Sequence, residues 1–464
     1  MRRFTTIFAA LFLLVATLTA PAAQAAAAAA LSSRTHLFYY PWYGNDSGGY
    51  RHWQQGGHTP PDDVGANFYP VLGPYDSGDL TGAVEQHMRW IEQSGAGVLV
   101  YSWWGQGSYE DGLAAGVLEA AARHGIRVAW HLEPYSGRTA SSTVSDINYL
   151  LSRYGSSPAF YREGGRGAFY VFESLRITDW TALDQVSSSA IVLAQTTDTS
   201  KVAHFGGMYT YDAIAGATAP GWREAGAFCE ANGLVWAPSV GPGYNDDRAV
   251  PGNTTPTLSR DNGATYDREW QNALSTQADW VSVTSFNEWH EGSIIEPARS
   301  SPPPFGYETF AGAYGTSGAA SETAYLDRTR YWASQLGLPS VNLALGKTAS
   351  ASGSQGGFPP GNAVDGNASS YWESANNAFP QTLTVDVGPA AAVGRLVLKL
   401  PPGWGRRTQT IAVGGSAPAG YVFDPATGNS VTITVPAQRT VSLTFTGNTG
   451  WPAGQLSEVE AYAS

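Results

Sequence analysis

The sequence predicts a (β/α)8 barrel followed by an all-β sandwich. Between residues 31 and 340, eight short and nearly continuous apolar segments alternate with helix-like segments. This pattern is typical of parallel strands that are covered on both faces. From about residue 342 the segments become short, apolar and polar residues alternate, and no clear helical pattern remains. Such a change in the pattern of apolar and polar residues indicates a separate β-sandwich domain.

Strand and helix patterns alternate through the first part of the chain. The predicted strands are His36–Tyr40, Gly97–Trp103, Arg127–Leu132, Ala168–Phe172, Ala190–Ala194, Gly207–Tyr211, Leu234–Pro238 and Trp280–Ser285. The predicted helices are Leu80–Gln93, Asp111–His124, Thr143–Tyr154, Pro220–Asn232, Asp267–Gln277 and Glu322–Gln335. The connection between Gln195 and Gly206 is too short for a clear helix. A doubly wound open sheet is the alternative, but its usual Gly-rich phosphate turn is missing after the first strand.

The first 25 residues have the features of a secretory signal peptide. Arg2 and Arg3 precede an apolar run from Ile7 to Ala20, and Ala23-Gln24-Ala25 provides a small-x-small cleavage site. No later apolar stretch approaches the roughly 20 residues that span a bilayer. We therefore expect a secreted, extracellular protein without a membrane anchor. The predicted parts are a signal peptide at 1–25, a barrel at 31–340 and a sandwich at 341–464.

Composition narrows the classes of partner. The formal net charge is −12, which disfavours nucleic acid and anionic membranes because both select basic surfaces. The chain contains 16 Trp and 24 Tyr, and flat aromatic rings suit the apolar C–H faces of sugars. Cys229 is the only cysteine, so no internal disulfide forms, and we expect a buried thiol in a helix. We also expect a monomer.

Aromatic and acidic residues follow the predicted strands, at the rim where barrels carry their functional residues. Those taken as candidate binding residues are Tyr40, Tyr43, Trp103, Trp104, Glu133, Tyr209, Tyr211, Asn287 and His290. Such a set suits an enzyme that holds a neutral, polyhydroxylated chain. The two tryptophans could instead simply cap the barrel core. The polar run Asp246-Asp247-Arg248 is interpreted as a solvated loop.

Glu288 and Glu291 are the strongest candidates for catalysis. Residues three apart share one face in a turn, and the chain leaves its last predicted barrel strand at this point. Two neighbouring carboxyl groups in a partly dry cleft do not both ionise, so one keeps its proton while the other is charged. An acid and a base side by side are what the cleavage of a glycosidic bond requires.

Two histidines raise the alternative of a zinc site. His131 and His290 each lie within two residues of a glutamate. However, the chain has no HExxH helix and no third ligand at a recognisable spacing. We therefore expect no catalytic metal or other cofactor, and we expect His290 to orient a carboxylate or a sugar hydroxyl.

Several sequence blocks resemble one family of enzymes. They are Phe38–Asn45, Tyr75–Ser77, Ser102–Gly105, His131–Tyr135, Pro238–Tyr244 and Thr284–Gly292. In this order they resemble glycoside hydrolase family 99, the endo-α-1,2-mannosidase family, over essentially the whole of residues 31–298. The resemblance implies a retaining, endo-acting enzyme that cuts internal α-1,2-mannosidic bonds of mannan or a high-mannose glycan.

The resemblance also implies roles for individual residues. Glu291 matches the general acid/base of the family. Glu288 matches the residue that takes a proton from the sugar's own 2-hydroxyl, which gives a 1,2-anhydro sugar rather than an ester on the protein. The residues expected to line the sugar subsites are Trp103 or Trp104, beyond the cleaved residue, and Glu133, Tyr209 or Tyr211.

The C-terminal part resembles a coagulation-factor discoidin domain, of which family 32 carbohydrate-binding modules are the sugar-binding branch. The matching stretches are Asn342–Lys347, Asp365–Asn367, Tyr371-Trp372 and Leu456–Glu460. The resemblance implies a structural Ca²⁺, since oxygen ligands in a tight loop suit a hard cation. The matching ligand positions are Asp365, Asn367, Ser370 and Glu458. An ordinary Asx turn is the alternative for this loop.

Three functions remain open on the sequence alone. The first is a secreted endo-α-1,2-mannosidase, and the second is a related retaining endo-hydrolase of another α-linked glycan, such as an α-glucan. The third is a catalytically inactive protein that binds sugar. The intact pair of Glu288 and Glu291 weighs against the third function, because a lectin needs neither an acid nor a base.

Overall fold

The computed structural model describes residues 31–45, 47, 49–211, 221–336, 342–388, 393–425 and 428–463. The predicted signal peptide and the predicted domain boundary at residue 340 lie outside these residues. No helix in the described ranges is long and apolar enough to cross a bilayer.

Nine parallel strands form a nearly closed barrel in the N-terminal part. They are β1 (Ser32–Tyr39), β2 (Ala96–Trp103), β3 (Arg127–Leu132), β5 (Arg166–Val171), β6 (Ala190–Gln195), β7 (Gly207–Tyr209), β8 (Val235–Ala237), β9 (Ser239–Val240) and β10 (Val281–Val283). The strand order is β8-β7-β6-β5-β3-β2-β1-β10-β9, and the two-residue β4 (Arg162–Glu163) pairs antiparallel with β5. The predicted barrel is confirmed, and the open-sheet alternative is wrong.

A proline divides one strand position into two. Pro238 has no N–H to donate, and it separates β8, which pairs with β7, from β9, which pairs with β10. The Pro238 carbonyl still accepts a hydrogen bond from Ser282 N at 3.0 Å. Nine strand segments therefore occupy eight positions around the barrel, as the eight predicted strands require.

The helices are α1 (Ala83–Gln93), α2 (Tyr109–Arg123), α3 (Ala140–Tyr154), α4 (Trp222–Asn232), α5 (Ala264–Ser275), α6 (Ala319–Glu322) and α7 (Ala324–Gln335). Side-chain caps explain two of the starts, because Ser108 Oγ accepts from Asp111 N and Thr139 forms a capping box with Ser142. Only a short 3₁₀ turn, Thr199–Lys201, lies between β6 and β7. The missing helix after Gln195 agrees with the sequence. Cys229 lies in α4 and is completely buried.

The C-terminal part is all-β and antiparallel. Its strands are β11 (Thr348–Ala351), β12 (Trp372–Glu373), β13 (Gln381–Asp386), β14 (Val393–Lys399), β15 (Arg407–Val413), β16 (Ala419–Phe423), β17 (Ser430–Gln438), β18 (Thr440–Asn448), β19 (Gln455–Leu456) and β20 (Glu458–Ala463). They form sheets of five strands (β11-β13-β18-β15-β16), three strands (β17-β14-β20) and two strands (β12-β19). Val441, Leu443 and Phe445 alternate into the core along β18, which confirms the predicted two-residue period.

Candidate active site

A cavity of about 290 Å³ lies at the carboxyl ends of the barrel strands. Its lining residues are Tyr40, Trp42, Trp104, His131, Glu133, Phe172, Tyr211, Tyr244, Asp246, Val250, Glu288, His290 and Glu291. They come from the segments that end or follow β1, β2, β3, β5, β7, β9 and β10. Four of them are carboxyl groups and most of the others are aromatic. Among these lining residues there is no lysine or arginine.

The segment after β10 forms the turn that the sequence predicts. Residues 289–292 adopt a turn conformation, and the side chains of Glu288 and Glu291 line the same cavity. Glu288 N donates to Ser285 Oγ at 2.7 Å, and His290 N donates to Glu288 Oε1 at 3.1 Å. Glu288 Oε2 is buried and has no hydrogen-bond partner within the described part of the chain. That oxygen is free to accept a proton or a hydrogen bond from a ligand.

Burial and neighbouring carboxylates raise the pKa values of both glutamates. For Glu288, burial and then the charge of Glu291 hold the pKa well above its usual range. For Glu291, burial and then the charge of Asp246 raise the pKa to about 7. Tyr211 OH points at Glu291 Oε2 from 3.5 Å and shares a short hydrogen bond with Tyr40 OH. The pair is therefore set to hold a proton near neutral pH.

Two predicted binding residues lie behind the turn rather than in the cavity. Tyr43 OH donates to Asn287 O at 3.0 Å and accepts from Trp289 N at 3.0 Å. Asn287 Oδ1 accepts from Tyr40 N at 2.7 Å. Both Tyr43 and Asn287 are completely buried. They hold the turn of Glu288 and Glu291 against the end of β1, and neither side chain is among those that line the cavity.

The structure decides between two neighbouring tryptophans. Trp103 is completely buried, and its Nε1 donates to Asp111 Oδ1 at 3.0 Å in α2. Trp104 lines the cavity. Neighbouring residues of a strand point to opposite faces, so only one of the two can face the cavity. The expectation of core packing is thus correct for Trp103, and the expectation of a subsite wall remains for Trp104.

A similar distinction separates two tyrosines near β7. Tyr209 is completely buried and its OH lies 3.1 Å from His131 Nε2, whereas Tyr211 lines the cavity. Glu133 also lines the cavity, and its Oε1 accepts from Ser102 Oγ at 2.7 Å and lies 3.0 Å from His131 Nδ1. Glu133 and Tyr211 are therefore exposed to the cavity, while Tyr209 contacts His131 behind it.

His290 stands beside Glu288, as expected for a residue that orients a carboxylate. Its Nδ1 lies 3.5 Å from Glu288 Oε1, and its Nε2 lies 2.8 Å from His52 O. Its ring is nearly parallel to that of Trp42, with 6.2 Å between the centroids. Burial lowers the pKa of His290, so the ring is neutral and donates one hydrogen bond.

Asp246 corrects the sequence interpretation. The run Asp246-Asp247-Arg248 was expected to be solvated, but Asp246 is buried and lines the cavity. Asp247 alone of the two aspartates is exposed. Trp42, Phe172, Tyr244 and Val250 were also absent from the predicted site. Trp42 and Phe172 lie at or just after the end of a predicted strand, whereas Tyr244 and Val250 lie 6 and 12 residues beyond Pro238. Their positions after predicted strands were the only available signal.

The sandwich carries two further candidate surfaces. In the first, Ser370 Oγ donates to Asp365 Oδ2 at 2.7 Å and Asn367 N donates to Asp365 Oδ1 at 2.9 Å. Glu458 lies beside Asp365, and burial and this neighbouring carboxyl raise the pKa of Glu458 to about 7. Glu458 Oε1 is buried and without a hydrogen-bond partner in the described ranges.

The second surface is an aromatic patch formed by Tyr371, Trp404, Arg407 and Trp451. Trp451 is 48 % exposed, and its Nε1 donates to Glu373 Oε1 at 3.1 Å. The Arg407 guanidinium lies 4.5 Å from the centroid of Trp404, whose ring packs edge-on against Tyr371 at 4.7 Å. Trp451 is exposed and the rings of Tyr371 and Trp404 are half-buried, and rings with a nearby guanidinium suit a sugar face and its hydroxyls.

A barrel with paired carboxyl groups in a rim cavity, joined to a discoidin-like sandwich, defines a glycoside hydrolase with an accessory carbohydrate-binding domain. The chain belongs to glycosyl hydrolase family 99, whose sequence model matches residues 30–337. A second model, that of the NedA-like galactose-binding domain, matches residues 362–450. The family expected from the sequence blocks is confirmed.

Relatives with known names support the same assignment. Mouse glycoprotein endo-alpha-1,2-mannosidase is 35 % identical over 359 residues, which is 67 % of this chain and 76 % of the mouse protein. A glycoprotein endo-alpha-1,2-mannosidase-like protein of Danio rerio is 35 % identical over 347 residues, 64 % of this chain and 77 % of that protein. The structure of the GH99 endo-alpha-mannosidase from Bacteroides thetaiotaomicron is 33 % identical with a TM-score of 0.59, and covers 66 % of this chain and 98 % of that one.

Proposed function

We propose that the protein is a secreted, retaining endo-α-1,2-mannosidase that cleaves internal bonds of mannan or a high-mannose glycan. The observation that carries this proposal is the pair of Glu288 and Glu291, which share one cavity and have raised pKa values. The names of the relatives support the proposed linkage, and the signal-like sequence of residues 1–25 supports the proposed extracellular location.

In the first step Glu291 acts as a general acid and Glu288 as a general base. Glu288 takes the proton of the 2-hydroxyl, and O2 attacks the anomeric carbon of the same sugar. The bond from that carbon to the glycosidic oxygen breaks, and Glu291 gives its proton to this oxygen. In an α-mannoside the two oxygens lie on opposite faces, so attack from behind is possible and forms a 1,2-anhydro sugar.

In the second step the anhydro ring opens. Water attacks the anomeric carbon and gives a proton to Glu291, while O2 regains a proton from Glu288. Two inversions at one carbon give net retention. The i, i+3 spacing supports this scheme, because Glu288 needs only to reach the 2-hydroxyl and not the anomeric carbon. Each side chain ends the cycle in its starting protonation state.

Digestion of two polymers tests the substrate. The full chain should release oligosaccharides from yeast α-mannan and none from an α-1,3-glucan, measured side by side by chromatography. Release from the glucan alone would replace the proposed function with that of an α-glucan hydrolase. No release from either polymer by a folded, sugar-binding protein would instead indicate an inactive lectin.

A modified sugar tests the mechanism. A substrate with 2-deoxy-2-fluoro at the reacting mannose has no proton for Glu288 to take, so it should bind without being cleaved. An enzyme with a protein nucleophile would react slowly and accumulate an ester. Mass spectrometry of the peptide containing Glu288 distinguishes these outcomes, since a trapped sugar there would overturn the role of Glu288 as a base.

The sandwich is proposed to bind glycan through the patch of Tyr371, Trp404, Arg407 and Trp451. Trp451 contributes an exposed ring whose indole N–H is already held by Glu373, so little side-chain entropy is lost on stacking. The substitution Trp451→Ala should weaken binding of the whole chain to insoluble mannan in a pull-down assay. Unchanged retention on the polymer would exclude this patch.

We also propose a structural Ca²⁺ held by Asp365, Asn367, Ser370 and Glu458. The residues fit a hard cation, because they are oxygen donors and Glu458 Oε1 is a buried oxygen that lacks a partner in the described ranges. Calcium should raise the unfolding temperature of the protein, and a chelator should lower it. The substitution Glu458→Gln should remove this response, whereas a calcium effect that persists in the variant would place the ion elsewhere.

A further inference from the structure

The loop after β9 carries a carboxylate with one oxygen that accepts no hydrogen bond from the residues described. Asp246 is 7 % exposed, and its Oδ2 accepts a hydrogen bond from Tyr244 OH at 2.8 Å. Its Oδ1 is buried and has no hydrogen-bond partner among the residues described. A buried carboxylate oxygen that accepts no hydrogen bond is unfavourable. A ligand that donates a hydrogen bond to this oxygen therefore binds more tightly.

The Asp246 loop is fixed directly against the residue that serves as the proposed acid. Asn245 N donates to the carbonyl of Glu291 at 2.8 Å. Gly292 has a φ of +58°, and a Cβ added there would lie 2.6 Å from Asn245 O. The two backbones are therefore in contact with no room for a side chain. Asp246 belongs to the wall of the cavity that continues from Glu291.

Glu288 belongs to a different wall. His290 N donates to Glu288 Oε1 at 3.1 Å, and the His290 ring is stacked beside Trp42. The cavity thus has one wall of Trp42, His290 and Glu288, and another of Glu291, Asp246 and Tyr244. Val250 N donates to Asp246 O at 2.8 Å, and the Val250 side chain, 46 % exposed, lines the same cavity.

The proposed reaction determines which part of the substrate each wall faces. Glu288 must approach the 2-hydroxyl of the sugar that is attacked, whereas Glu291 must approach the glycosidic oxygen. The second substituent of that oxygen is the leaving sugar. A wall that continues from Glu291 therefore faces the leaving group. This argument rests on the proposed function.

We propose that Asp246, Tyr244 and Val250 form the subsite for the leaving mannose, and that Asp246 Oδ1 accepts a hydrogen bond from one of its free hydroxyls. A mannose that leaves from an α-1,2 bond has its O2 engaged in the bond, so hydroxyls at positions 3, 4 and 6 remain for recognition. Val250 offers an apolar contact for a C–H face of the same sugar. Asp246 is then a specificity residue for the leaving group.

Substrates that lack single hydroxyl groups, tested on the wild-type chain and on an Asp246 variant, test this assignment. Four oligosaccharides are compared: the parent and its 3-, 4- and 6-deoxy forms at the leaving mannose. With the wild-type chain, one deoxy form should lose about tenfold or more in kcat/KM, as expected for a hydrogen bond to a charged group. With Asp246→Ala, removal of the same hydroxyl should change kcat/KM by no more than about twofold. The control Asp247→Ala should keep the wild-type pattern.

The alternative outcomes are distinct. If every deoxy substrate loses the same factor with wild type and with Asp246→Ala, Asp246 makes no contact with the sugar and acts only through the charge that it places near Glu291. Thermal unfolding identifies an Asp246→Ala chain that fails to fold, in which case Asp246→Asn, with a neutral and weaker acceptor, should show a reduced coupling. If the wild-type chain does not cleave the parent, the proposed function fails and this subsite fails with it.

Discussion

A carboxyl group acts as a general acid only while it holds its proton, and Glu291 has a pKa of about 7. We expect Glu291→Gln to bind substrate but to lose roughly 10²–10⁴-fold in kcat, because the amide cannot donate the proton to the leaving oxygen. Calorimetric binding and turnover on unactivated mannan-derived oligosaccharide measure the two effects separately. A variant with near-normal turnover would remove Glu291 from the acid/base role.

The raised pKa values also predict the pH dependence of the reaction. Activity should fall as the pH rises through about 7, where Glu291 loses its proton. It should also fall towards acid pH, where the coupled pair of Glu288 and Glu291 takes up a second proton and no base remains. The groups facing Glu291 are Asp246, Glu133, Glu288 and Tyr211.

The charge of Asp246 should therefore be visible in the pH profile. Asp246→Asn removes this negative charge, so the basic limb of the kcat/KM profile should move to lower pH. Asp247→Asn, on the exposed neighbour, should leave the limb unchanged because solvent screens its charge. An equal shift in both variants would contradict a specific role for Asp246.

The sequence predicted some residues of the site and missed others, and the difference depends on single side chains. Glu288 and Glu291 were recognisable because they follow the last barrel strand at a spacing that a turn brings together. Asp246 was not, because it stands in a polar run, and its hydrogen bond with Tyr244 OH inside the cavity wall leaves no pattern in the sequence. The choice between Trp103 and Trp104 likewise depends on which side chain faces outward from β2, and two adjacent tryptophans give no such signal.

At the scale of elements, Arg260 joins two loops of the active site. Its guanidinium lies 4.7, 4.5 and 4.6 Å from the ring centroids of Phe68, Phe310 and Tyr325. Its Nη2 donates to Gly292 O at 2.9 Å and to Ile294 O at 2.6 Å, directly after Glu291. A Cβ added at Gly243 would lie 2.7 Å from Arg260 Cγ, so the loop that leads to Asp246 packs on the same side chain.

We expect Arg260→Met to lower kcat about 10- to 100-fold with a smaller change in KM. The loop that carries Glu291 loses its anchor in this variant, and small displacements of a catalytic group strongly lower the rate. The matched control is Arg299→Met, which removes a guanidinium that lies 5.1 Å from the Tyr69 centroid. A shifted basic limb in the pH profile of Arg260→Met would show that Glu291 has moved. Equal losses of kcat in the two variants would indicate general destabilisation instead.

The elements of the barrel were predictable where packing alone defines them. The interval Arg127–Leu132 agrees with β3 at both ends because β3 is buried after its first residue. The last barrel strand was predicted to run to Ser285 but ends at Val283. Beyond it, Ser285 N donates to Ser293 O at 2.9 Å, so the chain pairs with its own return segment. A sequence pattern reports apolar periodicity and not the partner of each N–H group.

For the whole molecule, the two domains should contribute to different substrates. Deletion of residues 342–464 should leave kcat/KM on soluble oligosaccharides within a few fold, because the cavity-lining residues all come from the barrel. Activity on insoluble mannan or cell walls should fall further, since a tethered binding domain acts by raising the local concentration of the enzyme. Equal losses on both substrates would make the sandwich a part of the catalytic unit.

The solitary thiol of α4 offers a built-in reporter of global opening. Burial, and then the charge of Asp279, raise the pKa of Cys229 to about 12. At neutral pH a thiol reagent therefore cannot reach the sulfur, and the sulfur is not ionised. Alkylation should proceed only from molecules in which α4 has detached from the barrel. The labelling rate across a denaturant series then follows the population of open barrels, in the intact chain and without an introduced probe. Rapid labelling in native buffer would reveal that α4 opens locally.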